Sequence, residues 1–219
     1  MLPLRDSQPS KKLPLVTILL IGLNTLIFLY QSALDLPGLE SFFASYAFVP
    51  RDFFLTAGER RFYGQLFSSM FLHGDLSHLV GNMWILWLFG DNVEDHLGKI
   101  RYVLFYLGTG LIAILAHAFS MPQSTVITLG ASGAISGVMG AYLILYPRSQ
   151  ILTLIPFPPY FFRIPAFIYL IVWVILQLVS GVVAGGASDI AWWAHIAGFA
   201  GGALLTAGGR RRARARQGS

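Results

Sequence analysis

Four long stretches without a charged side chain constrain this chain more than any other feature. Residues 13–34, 102–147, 164–188 and 190–209 contain no Asp, Glu, Lys or Arg. A helix needs about 20 apolar residues to cross a bilayer, so the second stretch is long enough for two crossings. One such stretch is compatible with a buried core helix. Several of them, in a chain that is 55% hydrophobic and 11% charged, predict a polytopic, all-α membrane protein.

The arrangement of apolar and basic residues predicts six membrane spans. They are expected at residues 14–33, 76–92, 102–120, 132–146, 164–184 and 190–208. Eight of the fifteen basic residues lie in the terminal segments 1–12 and 209–219. Basic flanks mark the cytoplasmic side of a membrane, so both termini are expected in the cytoplasm, as an even number of spans requires. We therefore expect two cytoplasmic tails, at 1–12 and 209–219, around a membrane domain at 13–208.

Composition narrows the function classes. The chain has no cysteine, which excludes disulfides, thiolate metal sites and a cysteine nucleophile. The net charge of +5 comes largely from the two tails, so it indicates membrane orientation and not nucleic-acid binding. The first apolar stretch lacks a small-residue cleavage signature, so we interpret it as a retained span of a multi-pass protein in the cell membrane.

Residues 35–72 form a long connection between the first two spans. The segment is rich in Phe and Tyr, which are costly in a free aqueous loop. Long structured loops are usually functional or packed on something. We expect this loop to be partly embedded in the membrane interface, in preference to a small soluble insert, because few charged residues are available to cover it.

The fourth span is short. Fifteen residues from Ser132 to Tyr146 reach about 22 Å at about 1.5 Å per residue, against about 30 Å of hydrocarbon. The start of this helix is therefore expected below the membrane surface. Ser132 lies there between Gly130 and Gly133, among the unpaired N–H groups of a helix start, where negative charge is favoured.

Four polar residues are expected at similar depth on the non-cytoplasmic side. Ser132, His195, His78 and Asn82 lie near the outer ends of the fourth, sixth and second spans. Polar groups at membrane depth usually face the interior of the bundle. His195 is placed to take the proton of Ser132 as a general base. His78 and Asn82 offer oxyanion donors together with the Ser132 N–H, and Gly130 shapes the turn. His73, at the edge of the loop, is interpreted as structural.

Small residues are expected to bring the sixth helix against the fourth. Ala194, Gly198 and Gly202 recur at four-residue spacing, and Gly133 and Gly137 repeat this spacing on the fourth span. Such ridges allow close helix contact. Because no acidic residue lies near His195 in depth, the sequence predicts a Ser-His dyad and not a triad.

These motifs resemble those of the rhomboid intramembrane serine proteases. The resemblance rests on four motifs that occur in the expected order, listed here as they stand in the chain: His78-Leu-Val-Gly-Asn82, Gly90-x-x-x-Glu94-x-x-x-Gly98, Gly130-Ala-Ser132-Gly133 and Ala194-His195-Ile-Ala-Gly198. It implies a six-helix bundle, with Ser132 as nucleophile, His195 as general base, and His78 and Asn82 as oxyanion stabilisers. It also implies that His73 and Glu94 are structural. The implied substrate is a single-span membrane protein, cut near or just within the bilayer next to a small residue, with no cofactor. The expected mechanism has an acyl-enzyme intermediate and uses no metal.

The chain departs from the family pattern at one place. Many members carry a Trp-Arg pair in the first loop, where this chain has Gly64 and Gln65, which leaves the anchoring of that loop open. The added cytosolic domain or seventh span of some relatives is not expected. For substrate entry, we expect the fifth helix and the Gly185-Gly186 link to move, because that helix lacks polar or small-residue contacts to hold it.

Three other functions fit the sequence less well. A catalytically silent chaperone of the same fold typically loses the serine or a histidine, and this chain keeps both. A small transporter or channel also uses intramembrane His and Asn, but the sequence shows no internal repeat. A metal-dependent intramembrane protease lacks its His-Glu-x-x-His motif here.

Overall fold

The computed structural model describes residues 1–55, 60–184 and 191–217, with backbone only at 60–62, 184 and 210–217. Helices form most of it. In chain order the elements are β1 (Leu2–Asp6), α1 (Leu15–Ser32), α2 (Leu36–Tyr46), α3 (Pro50–Leu55), α4 (Arg60–Ser68), a 3-10 turn (Ser69–Phe71), α5 (Leu76–Leu97), α6 (Lys99–Ser120), α7 (Ser132–Leu145), β2 (Gln150–Ile155), β3 (Tyr160–Pro165), α8 (Ala166–Ala184) and α9 (Trp192–Gln217).

Helices coincide with all six predicted spans. Three helical segments are long and apolar enough, by length and composition, to cross a membrane: Leu15–Ser32, Lys99–Ser120 and Ala166–Val183. The expectation of a mostly helical membrane protein is therefore confirmed, and the count of six crossings stays a prediction. Two boundaries differ from the expected ones. α5 continues beyond the expected end at residue 92 to Leu97, and α9 continues through the predicted C-terminal tail to Gln217.

The end of α5 joins three helices through the Gly90-x-x-x-Glu94-x-x-x-Gly98 motif. The buried Glu94 carboxylate accepts hydrogen bonds from the Val16 N–H (3.0 Å) and from the Thr17 N–H (2.8 Å) and hydroxyl (2.9 Å). It thereby caps the first turn of α1, where negative charge is favoured. A methyl group at Gly90 would lie 2.7 Å from the Tyr102 hydroxyl, so glycine is needed there for helix contact. The bonds from Glu94 to the start of α1 are the physical basis of the structural role expected for this residue.

A three-stranded antiparallel sheet is the main departure from the all-α prediction. Its order is β1-β2-β3, so the N-terminal residues, expected as a tail, form an edge strand on the hairpin made by residues 150–165. The sequence alone predicts no strand in this segment, because prolines interrupt it. Pro156, Pro158 and Pro159 lie in the turn between the strands, where proline removes no ladder hydrogen bond.

The sheet is attached to the helices by β1 on one edge and β3 on the other. The Trp84 indole donates to the Pro3 carbonyl (2.6 Å), and the Asn92 amide donates to the Asp6 carboxylate (3.2 Å). The Tyr142 hydroxyl of α7 also donates to Asp6. Burial raises the pKa of Asp6, against the lowering effect of the Tyr142 bond. On the opposite edge, β3 leads directly into α8 at Ala166.

The described residues of the first loop form three helices and a 3-10 turn, and Gln65 anchors this loop. The Gln65 side chain is buried, and its amide donates to the carbonyls of Ala44 (3.1 Å) and Ser45 (3.2 Å), at the end of α2. The Ser68 hydroxyl adds a bond to the Tyr46 carbonyl (2.7 Å). Gln65 thus anchors this loop, at one of the two positions where a Trp-Arg pair is absent from this chain. Whether the loop enters the membrane interface stays a prediction.

Removal of the Glu94 carboxylate should destabilise the whole bundle. Glu94→Ala leaves the first N–H groups of α1 without an acceptor, and we expect the free energy of unfolding to fall by about 2–3 kcal/mol. Thermal unfolding in detergent micelles, followed by circular dichroism, measures the change. Glu40→Gln, at an exposed position on α2, is the control and should unfold as the wild type does. An unchanged midpoint for Glu94→Ala would contradict the capping role.

Candidate active site

The site is built around the start of α7. Ser132 is the first residue of this helix, and Ala131 before it is fully buried. Gly130 has a φ of +116°, in the left-handed region that glycine tolerates and other residues rarely adopt. The Gly130 N–H donates to the Ser69 carbonyl (2.8 Å), so the 3-10 turn of the first loop holds this turn in place. The backbone therefore fixes the position of Ser132.

Ser132 is recessed below the end of the neighbouring helix. α7 has 14 residues and α6 has 22, and the two run antiparallel. A methyl group at Gly133 would lie 2.6 Å from the Ala113 Cβ atom, so this point of α7 is level with Ala113. α6 continues from there for seven residues to Ser120, about 10 Å at about 1.5 Å per residue. The start of α7 is therefore recessed relative to the end of α6, and α7 is short, as expected for the fourth span.

His195 of α9 lies against Ser132. The distance between His195 Nε2 and Ser132 Oγ is 2.8 Å, which is a hydrogen bond. Both side chains are half-buried. The two residues that sequence analysis paired are thus in direct contact, in the geometry in which an imidazole can take the proton of a hydroxyl.

Glycine backbone contacts set this distance. A methyl group at Gly198 would lie 2.2 Å from the Gly133 carbonyl oxygen, and one at Gly202 would lie 2.0 Å from the Gly137 carbonyl oxygen. The ridge on α9 therefore packs against α7 as expected. The glycines of α7 serve two neighbours, because a methyl group at Gly137 would lie 2.4 Å from the Thr109 side chain of α6. Gly133 and Gly137 present their carbonyls to α9 and the open side of their Cα atoms to α6.

His78 and Asn82 lie on the other side of Ser132, on α5. A methyl group at Gly130 would be 2.8 Å from His78 Nε2 and 3.7 Å from Asn82 Nδ2, so both side chains border the backbone turn that precedes Ser132. Asp75 caps α5 by accepting from the His78 N–H (2.9 Å). The hydrogen bond from the Ser77 hydroxyl, followed by this one, lowers the pKa of Asp75, which keeps the cap charged.

The His73 side chain is hydrogen-bonded to the Asn82 side chain. Asn82 Nδ2 lies 3.0 Å from His73 Nε2, and both side chains are buried. Burial, with a smaller effect of His78, lowers the pKa of His73 to about 4, so its ring is neutral at pH 7 and Nε2 can accept the Asn82 amide hydrogen. Gln31 of α1 in turn bonds both the carbonyl (2.8 Å) and the N–H (3.3 Å) of His73. This chain of contacts engages one Asn82 N–H, and Asn82 lines the same cavity as Ser132.

Gln177 of α8 is the residue that sequence reasoning missed. Its Oε1 atom lies 2.7 Å from His195 Nδ1, on the side of the ring opposite Ser132. The expectation that the fifth helix lacks polar contacts is therefore wrong. The sequence does carry a signal for it. Gln177 is an amide in an uncharged span and lies four residues from both Trp173 and Gly181, so the three residues share one helix face. The Gly185-Gly186 link lies outside the described residues.

A cavity of about 730 Å³ opens in front of these groups. Its wall includes Ser132, His195, His78, Asn82 and Gln177. Both the paired Ser-His groups and the amide and imidazole donors therefore face one shared space, of a size typical for ligand sites.

The comparison with protein families agrees with this arrangement. The Rhomboid domain family matches residues 60–212, about 70% of the chain. The chain belongs to the rhomboid family. Together with the long apolar helices, this membership makes it a multi-pass membrane protein.

Individual rhomboid relatives match shorter segments. The putative rhomboid protease YdcA of Bacillus subtilis is 37% identical over 81 residues, which cover 37% of this chain and 40% of the relative. RHOMBOID-like protein 4 of Arabidopsis thaliana is 34% identical over 141 residues, 64% of this chain and 32% of the relative. Rhomboid protein 1, mitochondrial, of Saccharomyces cerevisiae is 28% identical over 138 residues, which cover 61% of this chain and 37% of the relative. The matches thus span two fifths or less of these relatives' length.

The close contact between α7 and α9 should tolerate no side chain. In Gly198→Ala the new methyl group must displace a backbone carbonyl, and we expect a loss of about 1–3 kcal/mol in the free energy of unfolding. Thermal unfolding in micelles checks this. Gly208→Ala on the same helix meets no atom within 4 Å and should be as stable as the wild type or slightly more so, because alanine favours helix. Equal midpoints for both variants would argue against the contact.

Proposed function

We propose that this rhomboid is an intramembrane serine endopeptidase that cleaves transmembrane segments of other membrane proteins through a Ser132–His195 dyad. The single observation that carries the proposal is the 2.8 Å contact between Ser132 Oγ and His195 Nε2, recessed at the wall of a cavity that His78 and Asn82 share. Family membership supports the same reaction class.

In the first half of the reaction, His195 Nε2 takes the hydroxyl proton while Ser132 Oγ bonds to the carbonyl carbon of the substrate peptide. Negative charge then develops on the carbonyl oxygen. The Ser132 N–H at the helix start, the Asn82 amide and the His78 imidazole are the donors proposed for this oxyanion, and Gly130 keeps the turn open for it. The imidazolium returns its proton to the amine as the C–N bond breaks, which leaves an acyl-enzyme.

In the second half, water attacks the acyl carbon. His195 accepts a proton from the water and passes it to Ser132 Oγ as the ester bond breaks. The products are a new carboxylate and the free serine. The proton transfers use Ser132 and His195, which lie in contact in the structure, and no cofactor or metal is part of the proposal.

The proposed substrates are single-span membrane proteins, reached from the bilayer. A recessed serine suits a scissile bond within or near the hydrocarbon. We assign the site to the non-cytoplasmic side of the cell membrane, with both termini in the cytoplasm, because the basic residues cluster in the terminal segments 1–12 and 209–219. The domain from 13 to 208 is proposed to contain the whole catalytic unit.

Ser132→Ala should abolish cleavage without loss of the fold. The assay uses the purified protein in liposomes with a single-span model substrate, and circular dichroism confirms the helical content. A fluorophosphonate probe should label the wild type and fail to label Ser132→Ala, with His195→Ala labelled poorly because its nucleophile has no base. Ser120→Ala, an exposed serine at the end of α6, is the control and should keep full labelling. Wild-type activity in Ser132→Ala would overturn the proposal, and a wild type that neither cleaves nor labels would indicate a catalytically silent relative.

Asn82→Ala should remove one oxyanion donor. We expect kcat to fall by about a hundredfold or more with KM little changed, because the donor acts mainly on the transition state. Steady-state kinetics on the liposome substrate separate the two constants. Asn24→Ala on α1, whose buried amide bonds the Leu20 carbonyl, is the matched control for loss of a buried asparagine. A similar kcat in both variants would remove Asn82 from the oxyanion site.

A further inference from the structure

Both ring nitrogens of His195 are paired, one on each side of the ring. Nε2 lies 2.8 Å from Ser132 Oγ, and Nδ1 lies 2.7 Å from Oε1 of Gln177. The Gln177 side chain is 8% exposed, although its neighbours Leu176 and Leu178 on α8 are exposed. Gln177 is thus turned into the bundle, and its carbonyl oxygen meets the one ring nitrogen that the Ser132 contact does not use.

In the structure the amide oxygen of Gln177, and not its NH2 group, faces Nδ1; because an amide oxygen only accepts hydrogen bonds, this orientation requires a hydrogen on Nδ1. A neutral imidazole carries one ring hydrogen. With that hydrogen on Nδ1, Nε2 keeps a free lone pair directed at the Ser132 hydroxyl, which is the tautomer a general base needs. The opposite tautomer would direct an N–H at Ser132 and could not take its proton.

Two tryptophan rings also pack near the His195 imidazole. Trp173, one turn before Gln177 on α8, has its ring centroid 6.2 Å from that of His195, at an angle of 34°. The Trp192 ring of α9 also lies 6.2 Å away and meets the imidazole edge-on, at 87°. The tryptophans restrict the ring plane but cannot select a tautomer, because neither contact is a hydrogen bond to Nδ1.

We infer that Gln177 is the positioning residue of the dyad, and that it holds His195 in the Nδ1–H tautomer, with Nε2 toward Ser132. The inference deepens the proposed function and rests on it. It also makes the reactivity of Ser132 depend on the seating of α8 against α9, since Gln177 lies on α8 and His195 on α9.

The direct test is the tautomer itself, read by ¹⁵N NMR of histidine-labelled protein in micelles. The His195 signals are assigned by their loss in His195→Ala. We expect the wild type to show a protonated Nδ1 and a bare Nε2, and Gln177→Leu to show a mixture of tautomers. Both spectra can be repeated in the Ser132→Ala background, so the result does not depend on cleavage. A wild-type tautomer in Gln177→Leu would overturn the inference.

Kinetics supply the second readout. Gln177→Leu should lower kcat on the liposome substrate, and the rate of fluorophosphonate labelling, by about tenfold, the value of one neutral hydrogen bond, with KM little changed. Gln177→Glu places an acceptor at the same site and should restore the rate. Its carboxylate favours the imidazolium, so the acidic limb of the kcat/KM profile should move to higher pH than in the wild type. A Glu variant as slow as Gln177→Leu would contradict the positioning role.

Gln65→Leu is the matched control. It is the same substitution at another buried glutamine, and Gln65 bonds backbone carbonyls in the first loop, away from His195. It should lower stability but leave the His195 tautomer and the labelling rate of the folded protein unchanged. The outcomes also distinguish failure of the proposed function from failure of the Gln177 inference. Equal labelling of Ser132→Ala and the wild type sinks the proposed function, whereas loss of labelling in Ser132→Ala with wild-type labelling and tautomer in Gln177→Leu sinks the inference alone.

Discussion

The contact of two helix backbones at Gly198 and Gly202 is the constraint on which the rest of the site depends. Inside a bilayer, lipid tails are as apolar as leucine, so burial alone does not drive one helix onto another, and close packing of small residues does. Here the carbonyls of Gly133 and Gly137 occupy the space that side chains on α9 would fill. His195 lies one turn before Gly198, and Ser132 directly precedes Gly133. The register of this backbone contact therefore sets the 2.8 Å between the two functional atoms.

At the other end of the bundle, polar contacts fix the helices that the glycines bring together. Glu94 ties the start of α1 to the end of α5, and Asp6 links β1 to Asn92 of α5 and to Tyr142 of α7. The Glu94 carboxylate is buried and the Asp6 carboxylate half-buried, and both accept hydrogen bonds from a neighbouring element, as low-dielectric surroundings require. With one end held by these bonds, the site end can remain an open cavity between α5, α7 and α9, framed by the turn at Gly130.

The sequence predicted the parts of the fold that follow from periodicity and composition, and missed the parts that depend on contacts between distant segments. The apolar runs predicted helices close to their observed positions. The predicted topology placed Ser132, His195, His78 and Asn82 at similar depth, and in the structure all four line one cavity. β1 was missed because a short polar N-terminal segment shows no strand signal until β2 offers it an edge. The hairpin was hidden by the three prolines of its turn. Gln177 was passed over because a lone glutamine in an apolar helix says nothing about the residue it faces.

Gln177 changes how the fifth helix relates to the chemistry. If α8 moves aside for a substrate to enter from the bilayer, it carries Gln177 away from His195 and leaves Nδ1 without its acceptor. The imidazole can then adopt either tautomer, and only one of them accepts the Ser132 proton. In that case the proposed dyad would be complete only when α8 is seated again. On this geometry, a helix that moved to admit the substrate would restore the base on its return, so that entry and proton transfer would occur in sequence.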